Sequence, residues 1–182
     1  MSEIFLRALQ LTDLEATQKW HGDEDLYRTL AGPFRFVSLE AEQEWLQSKT
    51  RYSNQEVNMA ICLAETRQPI GLISVREIDW ISRRGHFTGL FIGDSEFHGK
   101  GFGTEALNLL LHHCFCDLGL NRIFGYALED NEASLKMVQK CGFKIEGILK
   151  QHIFKDGVFI DAAIFGLCAD EYFKIQDSRS KQ

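Results

Sequence analysis

Residues 96–107 read EFHGKGFGTEAL. Glycine stands at positions 99, 101 and 103, and a run of helix-forming residues follows at once. The first N–H groups of a helix have no partner within it, and the helix dipole adds partial positive charge at that end. Glycines let the chain turn these N–H groups inward and let a ligand approach without meeting a Cβ atom. The stretch therefore predicts an anion-binding loop, typically for phosphate; a plain turn before a helix is the alternative.

Two common phosphate-binding motifs do not fit this stretch. A P-loop needs Gly-x-x-x-x-Gly-Lys-Ser/Thr, whereas Lys100 precedes Gly101 and Gly103. The dinucleotide fingerprint needs Gly-x-Gly-x-x-Gly, and Thr104 breaks it. The rest of the chain must therefore indicate the ligand.

The composition favours one globular domain that binds neither nucleic acid nor a membrane. The chain has 182 residues, 45% of them hydrophobic, which is ample for a core. The net charge is −6 and the basic residues form no cluster of five, which argues against a nucleic-acid groove and suits a cationic partner such as an amine. No apolar run approaches the roughly 18 residues of a membrane span.

The cysteines and the N-terminal residues predict a cytoplasmic location. The five cysteines are an odd number, which disfavours a disulfide scaffold. No basic and then apolar segment of the secretory type precedes them. We therefore expect a reducing compartment.

Local patterns predict an order of strands and helices. Alternating apolar residues indicate strands. Thr12 with Glu15 matches a capping box, Ser38 can cap a second helix, and Gly142 can end the last one. Lys155-Asp156-Gly157 is a hairpin turn signal. The predicted strands cover residues 3–9, 57–65, 70–78, 86–93 and 121–128 and the two arms of the final hairpin, and the predicted helices follow Thr12, Ser38 and the glycine loop, the last of them covering residues 130–141.

This order predicts one α/β domain with a mixed, mostly antiparallel sheet of about seven strands and about four flanking helices. An antiparallel meander leads into parallel crossovers. Gly89, inside the fourth strand, predicts a bulge or a close approach. The domain is expected to cover residues 1–170, followed by a polar, frayed tail over residues 171–182.

A second motif accompanies the glycine loop. It consists of Asn131, Ser134 and a Lys140-Cys141-Gly142-Phe143 end, about 30 residues after His98-Gly99-Lys100-Gly101-Phe102-Gly103. Together the two motifs resemble the GNAT acetyltransferase superfamily, and the resemblance extends over nearly the whole chain. Within the superfamily, the chain is similar to the RimJ/RimL-type branch, which acetylates protein N-termini and also contains enzymes for small amines, amino sugars and antibiotics.

The resemblance implies an N-acetyltransferase that uses acetyl-CoA and no metal. A protein N-terminal amine is the expected acceptor. A small amine (amino sugar, polyamine or antibiotic) and a non-catalytic acyl-CoA sensor are the alternatives. A monomer or homodimer is expected. The resemblance assigns cofactor binding to Leu90, Phe91 and Ile92 beside the pantetheine arm and the oxyanion, to His98, Gly99, Lys100, Gly101, Phe102, Gly103 and Thr104 around the pyrophosphate, and to Asn131 and Lys140.

Ser134 is the expected catalytic residue. Val138 stands where many members of the superfamily carry the tyrosine that protonates the leaving thiolate, and valine has no proton to give. In the RimJ/RimL-type branch a serine on the same helix has this role, and Ser134 matches it. The alternative is that Ser134 only packs against the cofactor. His98 stands where the superfamily has Gln or Arg, which removes a donor near the phosphates.

The general base is not identified by the resemblance. Many members place a glutamate near the position of Phe87, and RimL-like enzymes place one near Ile153. Neither residue here can ionise. His86 and His152 are each one residue away, and strand alternation turns them to the other face unless a bulge shifts the register.

Other residues are implied in the acceptor pocket. Trp20, Asp23 and Arg28 lie where the branch builds that pocket, with a packing role as the alternative for Trp20. Asp161 either faces the pocket or bonds locally.

Overall fold

A computed structural model describes residues 2–180 as one α/β domain around a seven-stranded sheet, which confirms the predicted fold class. The strands lie in the order β1-β2-β3-β4-β5-β7-β6, and all neighbours are antiparallel except β4 and β5. No helix in the described range is long and apolar enough to cross a membrane. The strands are β1 Ile4–Ala8, β2 Val57–Leu63, β3 Pro69–Asp79, β4 Arg84–Ile92, β5 Arg122–Leu128, β6 Lys144–Lys155 and β7 Val158–Cys168; the α-helices are α1 Leu14–His21, α2 Glu24–Tyr27, α3 Leu39–Thr50, α4 Phe102–His112, α5 Glu132–Lys140 and α6 Ala169–Arg179.

Two apolar layers cover the sheet. On one face, α4 and α5 bury Leu107, Leu110 and Val138 in the main core. On the other face, α1 and α3 contribute Leu14 and Leu46 to a smaller cluster. The sheet therefore separates a face that carries the glycine loop from a face that carries the N-terminal helices.

The predicted capping box at Thr12 is not formed. A 3-10 turn precedes α1, and the carboxylate of Asp13 accepts the backbone N–H of Gln10 at 2.9 Å. The same carboxylate receives two hydrogen bonds from Arg7, at 2.7 and 2.8 Å. This buried, charge-assisted arrangement is stronger than a hydroxyl cap, so the helix begins later than the pattern predicts.

The hairpin turn and the bulge are both present. Asp156 and Gly157 have φ of 50° and 80° between β6 and β7, which is the backbone of a two-residue hairpin. In β4 the register changes, because Ser74 lies opposite Gly89 while Val75 lies opposite Phe87. One extra residue therefore bulges from β4 beside Gly89.

The expected polar tail is wrong for most of its length, because residues 169–179 form α6. Tyr172 is only 4% exposed, and its ring lies 4.9 Å from that of Phe115 between ring centroids. The carboxylate of Glu171 accepts the N–H of Cys168 at 3.2 Å and caps the helix. Burial of one aromatic side chain and this cap order a segment whose composition is mostly polar.

The two parallel strands separate soon after they meet. β4 and β5 pair over three residues only, from Arg84 to His86 on β4. Beyond His86, the edge of β4 that faces β5 has no strand partner within the described residues. The backbone N–H and C=O groups from Gly89 to Ile92 on that edge are free for another partner, except the carbonyl of Ile92, which lies 2.9 Å from the ring Nε2 of His98.

Candidate active site

A cleft of about 850 Å³ opens where β4 and β5 separate. The glycine loop and α5 border one end, and residues from α1 to α3 border the other. Lys100 is the one predicted cofactor residue that does not line it; its ammonium group lies 5.4 Å from the centroid of the Phe97 ring. The predicted residues that do line the cleft are Leu90, Phe91, Ile92, His98, Gly99, Gly101, Phe102, Gly103, Thr104, Asn131, Ser134 and Lys140.

The three loop glycines have two different roles. Gly99 and Gly101 have φ of 73° and 87°, and a Cβ atom on either would meet no atom within 4 Å. Their left-handed backbone and the open space before them suit the approach of an anion to the start of α4. At Gly103, a Cβ atom would lie 3.2 Å from the sulfur of Met137, so this glycine serves the packing of α4 against α5.

His98 ties the loop to the end of β4. Its ring Nε2 lies 2.9 Å from the backbone carbonyl of Ile92. A carbonyl only accepts, so Nε2 carries the hydrogen and donates. The imidazole thus fixes the loop beside the free strand edge, which is a structural role that the sequence pattern does not predict.

Alternation along β4 divides its side chains between the two faces. Leu90 and Ile92 pack on the main core. Phe91 points to the opposite face, where its ring lies 5.9 Å from that of Trp20 and 6.4 Å from that of His21. A molecule lying along the β4 edge would therefore have the N-terminal helices beside it.

The start of α5 is held by Asn131. Its side-chain oxygen accepts the N–H of Ser134 at 3.0 Å, and its amide nitrogen donates to the carbonyl of Thr29 at 2.9 Å. Ser134 lines the cleft, and its hydroxyl makes no hydrogen bond within residues 2–180. Val138 is fully buried in the core, away from any proton transfer.

The two histidines next to the family's base positions do not line the cleft. Phe87 lines the cleft, whereas His86 and His152 do not. His86 stacks on Phe124 at 5.0 Å between centroids. Burial lowers the pKa of His86, and the nearby carboxylate of Glu77 opposes that shift.

The residues implied for the acceptor pocket lie elsewhere. Trp20, Asp23 and Arg28 do not line the cleft. Trp20 is 2% exposed and packs in the interior, and Asp23 caps α2 through the N–H of Asp25 at 2.9 Å. Asp161 bonds locally, since its carboxylate accepts the N–H of Gln151 at 2.7 Å. A hydrogen bond from Lys150 lowers the pKa of this carboxylate.

A buried histidine–glutamate pair borders the end of the cleft formed by residues from α1 to α3, and the sequence analysis does not predict it; we call this end the acceptor end, because the resemblance implies the acceptor there. His21, the last residue of α1, lines the cleft, and its Nδ1 lies 2.8 and 3.0 Å from the two carboxylate oxygens of Glu42. Glu42 is only 1% exposed. Burial alone would raise the pKa of Glu42, but hydrogen bonds from His21 and Thr17 outweigh burial and lower it.

One signal for this pair is present in the sequence. Glu42 stands three and four residues before Trp45 and Leu46, on the face of α3 that packs inward. A glutamate on an inward helix face needs a partner. The partner is 21 residues away in the chain, so no local pattern names it.

Other polar side chains at this end come from the sheet. Asn58, Ser74, Arg76 and Thr88 all line the cleft. The hydroxyls of Ser74 and Thr88 lie 2.9 Å apart. No aspartate or glutamate lines the cleft among the described residues.

Lys155 holds the segment that closes the acceptor end. Its ammonium group donates to the carbonyls of Tyr27, Arg28 and Leu30 at 2.6, 2.8 and 2.6 Å. Tyr27 and Leu30 line the cleft. Lys155 is 8% exposed, and burial lowers its pKa. One side chain from β6 thus fixes the backbone after α2.

Comparison with protein families gives one domain match. The model described as "Acetyltransferase (GNAT) domain" matches residues 3–144, which includes the glycine loop and α5. That range holds every predicted cofactor residue.

Individual relatives match this chain over nearly its whole length. The spermidine N(1)-acetyltransferase of Vibrio cholerae is 27% identical over 172 residues, covering 94% of this chain and 96% of that protein. An uncharacterised N-acetyltransferase, p20, of Bacillus licheniformis is 28% identical over 168 residues, covering 92% and 93%. The crystal structure of the Vibrio cholerae spermidine N-acetyltransferase with CoA and spermine superimposes with a TM-score of 0.86 at 25% identity, covering 95% of this chain and 99% of that one.

Proposed function

Because the chain belongs to the GNAT acetyltransferase family, we propose that its cleft transfers the acetyl group of acetyl-CoA to the primary amine of a small molecule. The chain is an acetyl-CoA-dependent N-acetyltransferase. The observation that carries the proposal is the separation of β4 and β5 beside the glycine loop. It provides a free strand edge and a helix start in one cleft.

The residues at the separation fit acetyl-CoA. The free edge from Gly89 to Ile92 offers hydrogen-bonding groups to the amides of a pantetheine arm, and the start of α4 offers N–H groups to a pyrophosphate. Lys136 and Lys140 of α5 border the same end and bring positive charge. When bound, acetyl-CoA supplies a thioester; the chain supplies an N–H group of β4 to receive charge on the carbonyl oxygen.

A small amine is favoured over a protein N-terminus. The relatives that match over nearly the whole chain include a spermidine N(1)-acetyltransferase, whereas the resemblance to the RimJ/RimL-type branch alone implies a protein N-terminus. The segment held by Lys155 closes the acceptor end of the cleft, which suits a compact acceptor. The proposed acceptor is therefore a small amine and not a protein N-terminal amine.

The charge of the lining suggests what kind of amine fits. Arg76 lines the acceptor end, and no carboxylate lines the cleft within residues 2–180. The Nε atom of Arg76 is buried without a hydrogen-bond partner, and Glu56 lies 3.8 Å from it. Arg76 pairs with Glu56, and an acceptor with a single amino group avoids the second positive charge that a polyamine would place beside this arginine.

The function is tested by the release of CoA. Purified protein is mixed with acetyl-CoA and a panel of spermidine, monoamines, amino sugars and short peptides with free N-termini. Release above the solvent rate for a small amine, and none for peptides, is the expected result. Release only with peptides would overturn the choice of acceptor. Stabilisation by acetyl-CoA in a heat-stability screen without release for any amine would favour the sensor.

A further inference from the structure

The mechanism lacks a group that accepts the proton of the amine. The residues at the family's usual positions cannot ionise, and the neighbouring histidines do not line the cleft. Two histidines line the cleft within residues 2–180: His98 and His21. The ring nitrogen of His98 is engaged by the carbonyl of Ile92 at the phosphate end. His21 is the imidazole that borders the acceptor end.

The ring of His21 is held in one orientation. Its Nδ1 faces the buried carboxylate of Glu42 at 2.8 Å, and its ring packs edge-on to Trp45 at 4.6 Å between centroids. An ionised carboxylate only accepts hydrogen bonds, so Nδ1 carries the hydrogen and the lone pair of a neutral ring lies on Nε2. No described residue hydrogen-bonds to Nε2. A carboxylate that orients an imidazole in this way also stabilises the imidazolium formed on proton uptake.

The position of the ring matches the approach of the acceptor. Phe91, whose ring lies 6.4 Å from that of His21, belongs to the free edge along which the thioester is proposed to lie. It points to the face of the sheet that carries α1 and α3. An amine that approaches from the acceptor end therefore passes the His21 ring. Tyr27 also titrates near the pair, and burial and the charge of Glu42 raise its pKa.

We propose that His21 is the catalytic base of this enzyme, held and polarised by Glu42. The nitrogen lone pair of the acceptor forms the bond to the acetyl carbon, and the N–H proton passes to Nε2, directly or through one water. The C–S bond breaks, the sulfur leaves with the electron pair, and it takes a proton from solvent or from the Ser134 hydroxyl, which solvent then reprotonates. His21 returns its proton to solvent before the next turnover.

The proposal rests on the proposed function, and the test separates the two. Wild type and His21→Gln are compared with the best amine of the CoA-release panel, from acid to alkaline pH. We expect His21→Gln to lower kcat by roughly 100-fold, the low end of general-base effects, with acetyl-CoA affinity nearly unchanged. kcat/KM falls towards acid pH because the amine itself must be neutral, and loss of the base should make that fall less steep in the variant than in the wild type.

The chain offers a matched control and a second variant. His113 also faces a carboxylate, with Nδ1 2.7 Å from Asp117, but lies outside the cleft. His113→Gln should keep the wild-type rate and pH profile. Glu42→Gln keeps an acceptor for Nδ1 but removes the charge, and should lower kcat by about 10-fold.

Each outcome decides the assignment. If the wild type releases CoA and folded His21→Gln has the same kcat and acid limb, the base assignment is wrong while the transferase function stands. If His21→Gln loses acetyl-CoA binding as well as rate, the residue has a structural role and the assignment is likewise wrong. If the wild type releases no CoA with any amine, both the proposed transfer to a small amine and the assignment of His21 as the base are wrong.

Discussion

At the scale of single residues, the glycine loop offers a test of where the phosphates of acetyl-CoA bind. Gly101 begins α4 with open space where a side chain would stand. We predict that Gly101→Asp weakens acetyl-CoA binding severely, because it adds a negative charge and bulk beside the phosphates. Titration calorimetry with acetyl-CoA measures this effect.

A second glycine provides the control for that experiment. Gly157 also has a left-handed backbone and open space around it, but it lies in the hairpin turn outside the cleft. Gly157→Asp carries the same charge and similar backbone strain. It should bind acetyl-CoA as the wild type does. If a folded Gly101→Asp protein binds acetyl-CoA with unchanged affinity, the glycine loop does not bind the phosphates.

Ser134 is the hydroxyl of α5 that faces the cleft. If it protonates the departing thiolate, Ser134→Ala should lower kcat by roughly 100-fold, since CoA thiol is a tolerable leaving group and the effect lies at the low end of acid catalysis. Acetyl-CoA affinity should remain nearly unchanged, because only the transition state loses the interaction. Steady-state kinetics and calorimetry measure the two quantities.

Two results would contradict the role of Ser134 as the acid. Normal kcat would remove Ser134 from the chemistry. Normal kcat with weaker acetyl-CoA binding would assign the hydroxyl to holding the cofactor. Ser178→Ala, in α6 and outside the cleft, is the control for a serine that bonds only to its own helix.

At the scale of secondary-structure elements, Lys155 of β6 organises the backbone that follows α2. We predict that Lys155→Met raises the KM for the amine several-fold while acetyl-CoA affinity stays the same, because the segment from Tyr27 to Leu30 loses its three hydrogen bonds. Loss of hydrogen bonds to a buried charged group should lower the free energy of unfolding by about 2 kcal/mol. Steady-state kinetics and chemical denaturation test both parts.

Lys174→Met is the matched control for the Lys155 variant. Lys174 lies on α6, pairs with Asp170 at 3.1 Å and is largely exposed. Exposed pairs of this kind contribute little to stability. An unchanged KM for the amine in folded Lys155→Met would show that the segment does not position the acceptor.

Elements were predictable where a local pattern determines them. The hairpin at Gly157, the irregularity at Gly89 and the cap at Ser38 each depend on a few neighbouring residues, and the structure confirms all three. The capping box at Thr12 was wrong because Arg7, from another element, pairs with the carboxylate next to it. Helix α6 was missed because the burial of Tyr172 depends on a distant ring.

The same limit applies to the site. The predicted cofactor residues form two short motifs, and all but Lys100 line one cleft, so their common location was predictable from the sequence; their binding of acetyl-CoA stays a prediction. The acceptor end was not predictable. His21 and Glu42 come from two helices and Lys155 from a strand more than 100 residues later, so only the folded chain brings them together.

At the scale of the whole molecule, the net charge is negative, whereas the charged side chains that line the cleft are positive. The chain carries a net charge of −6, yet no carboxylate lines the cleft in the described part of the chain and Arg76 borders its acceptor end. Two positive charges ~8 Å apart cost about 2 kcal/mol at an effective dielectric constant near 20. We predict that kcat/KM for an apolar monoamine exceeds that for spermidine by at least about 10-fold.

Arg76→Gln should narrow that preference, since it removes the positive charge while keeping a polar side chain of similar length. Lys19→Gln, on the surface away from the cleft, is the control for the loss of one positive charge. The two substrates are compared for all three proteins at low ionic strength, where charge effects are strongest. Equal kcat/KM for spermidine and the monoamine in the wild type would contradict the charge argument.

The short pairing between β4 and β5 gives the molecule a mechanical property. The sheet consists of two leaves, β1 to β4 and β5 to β7, whose strands share a seam three residues long. A molecule that lies along the free edge of β4 occupies the place of a missing strand and fastens the leaves together. Any ligand that binds only the folded chain stabilises it by about 2.7 kcal/mol at 100 times its Kd, and one bound here would do so at the seam between β4 and β5.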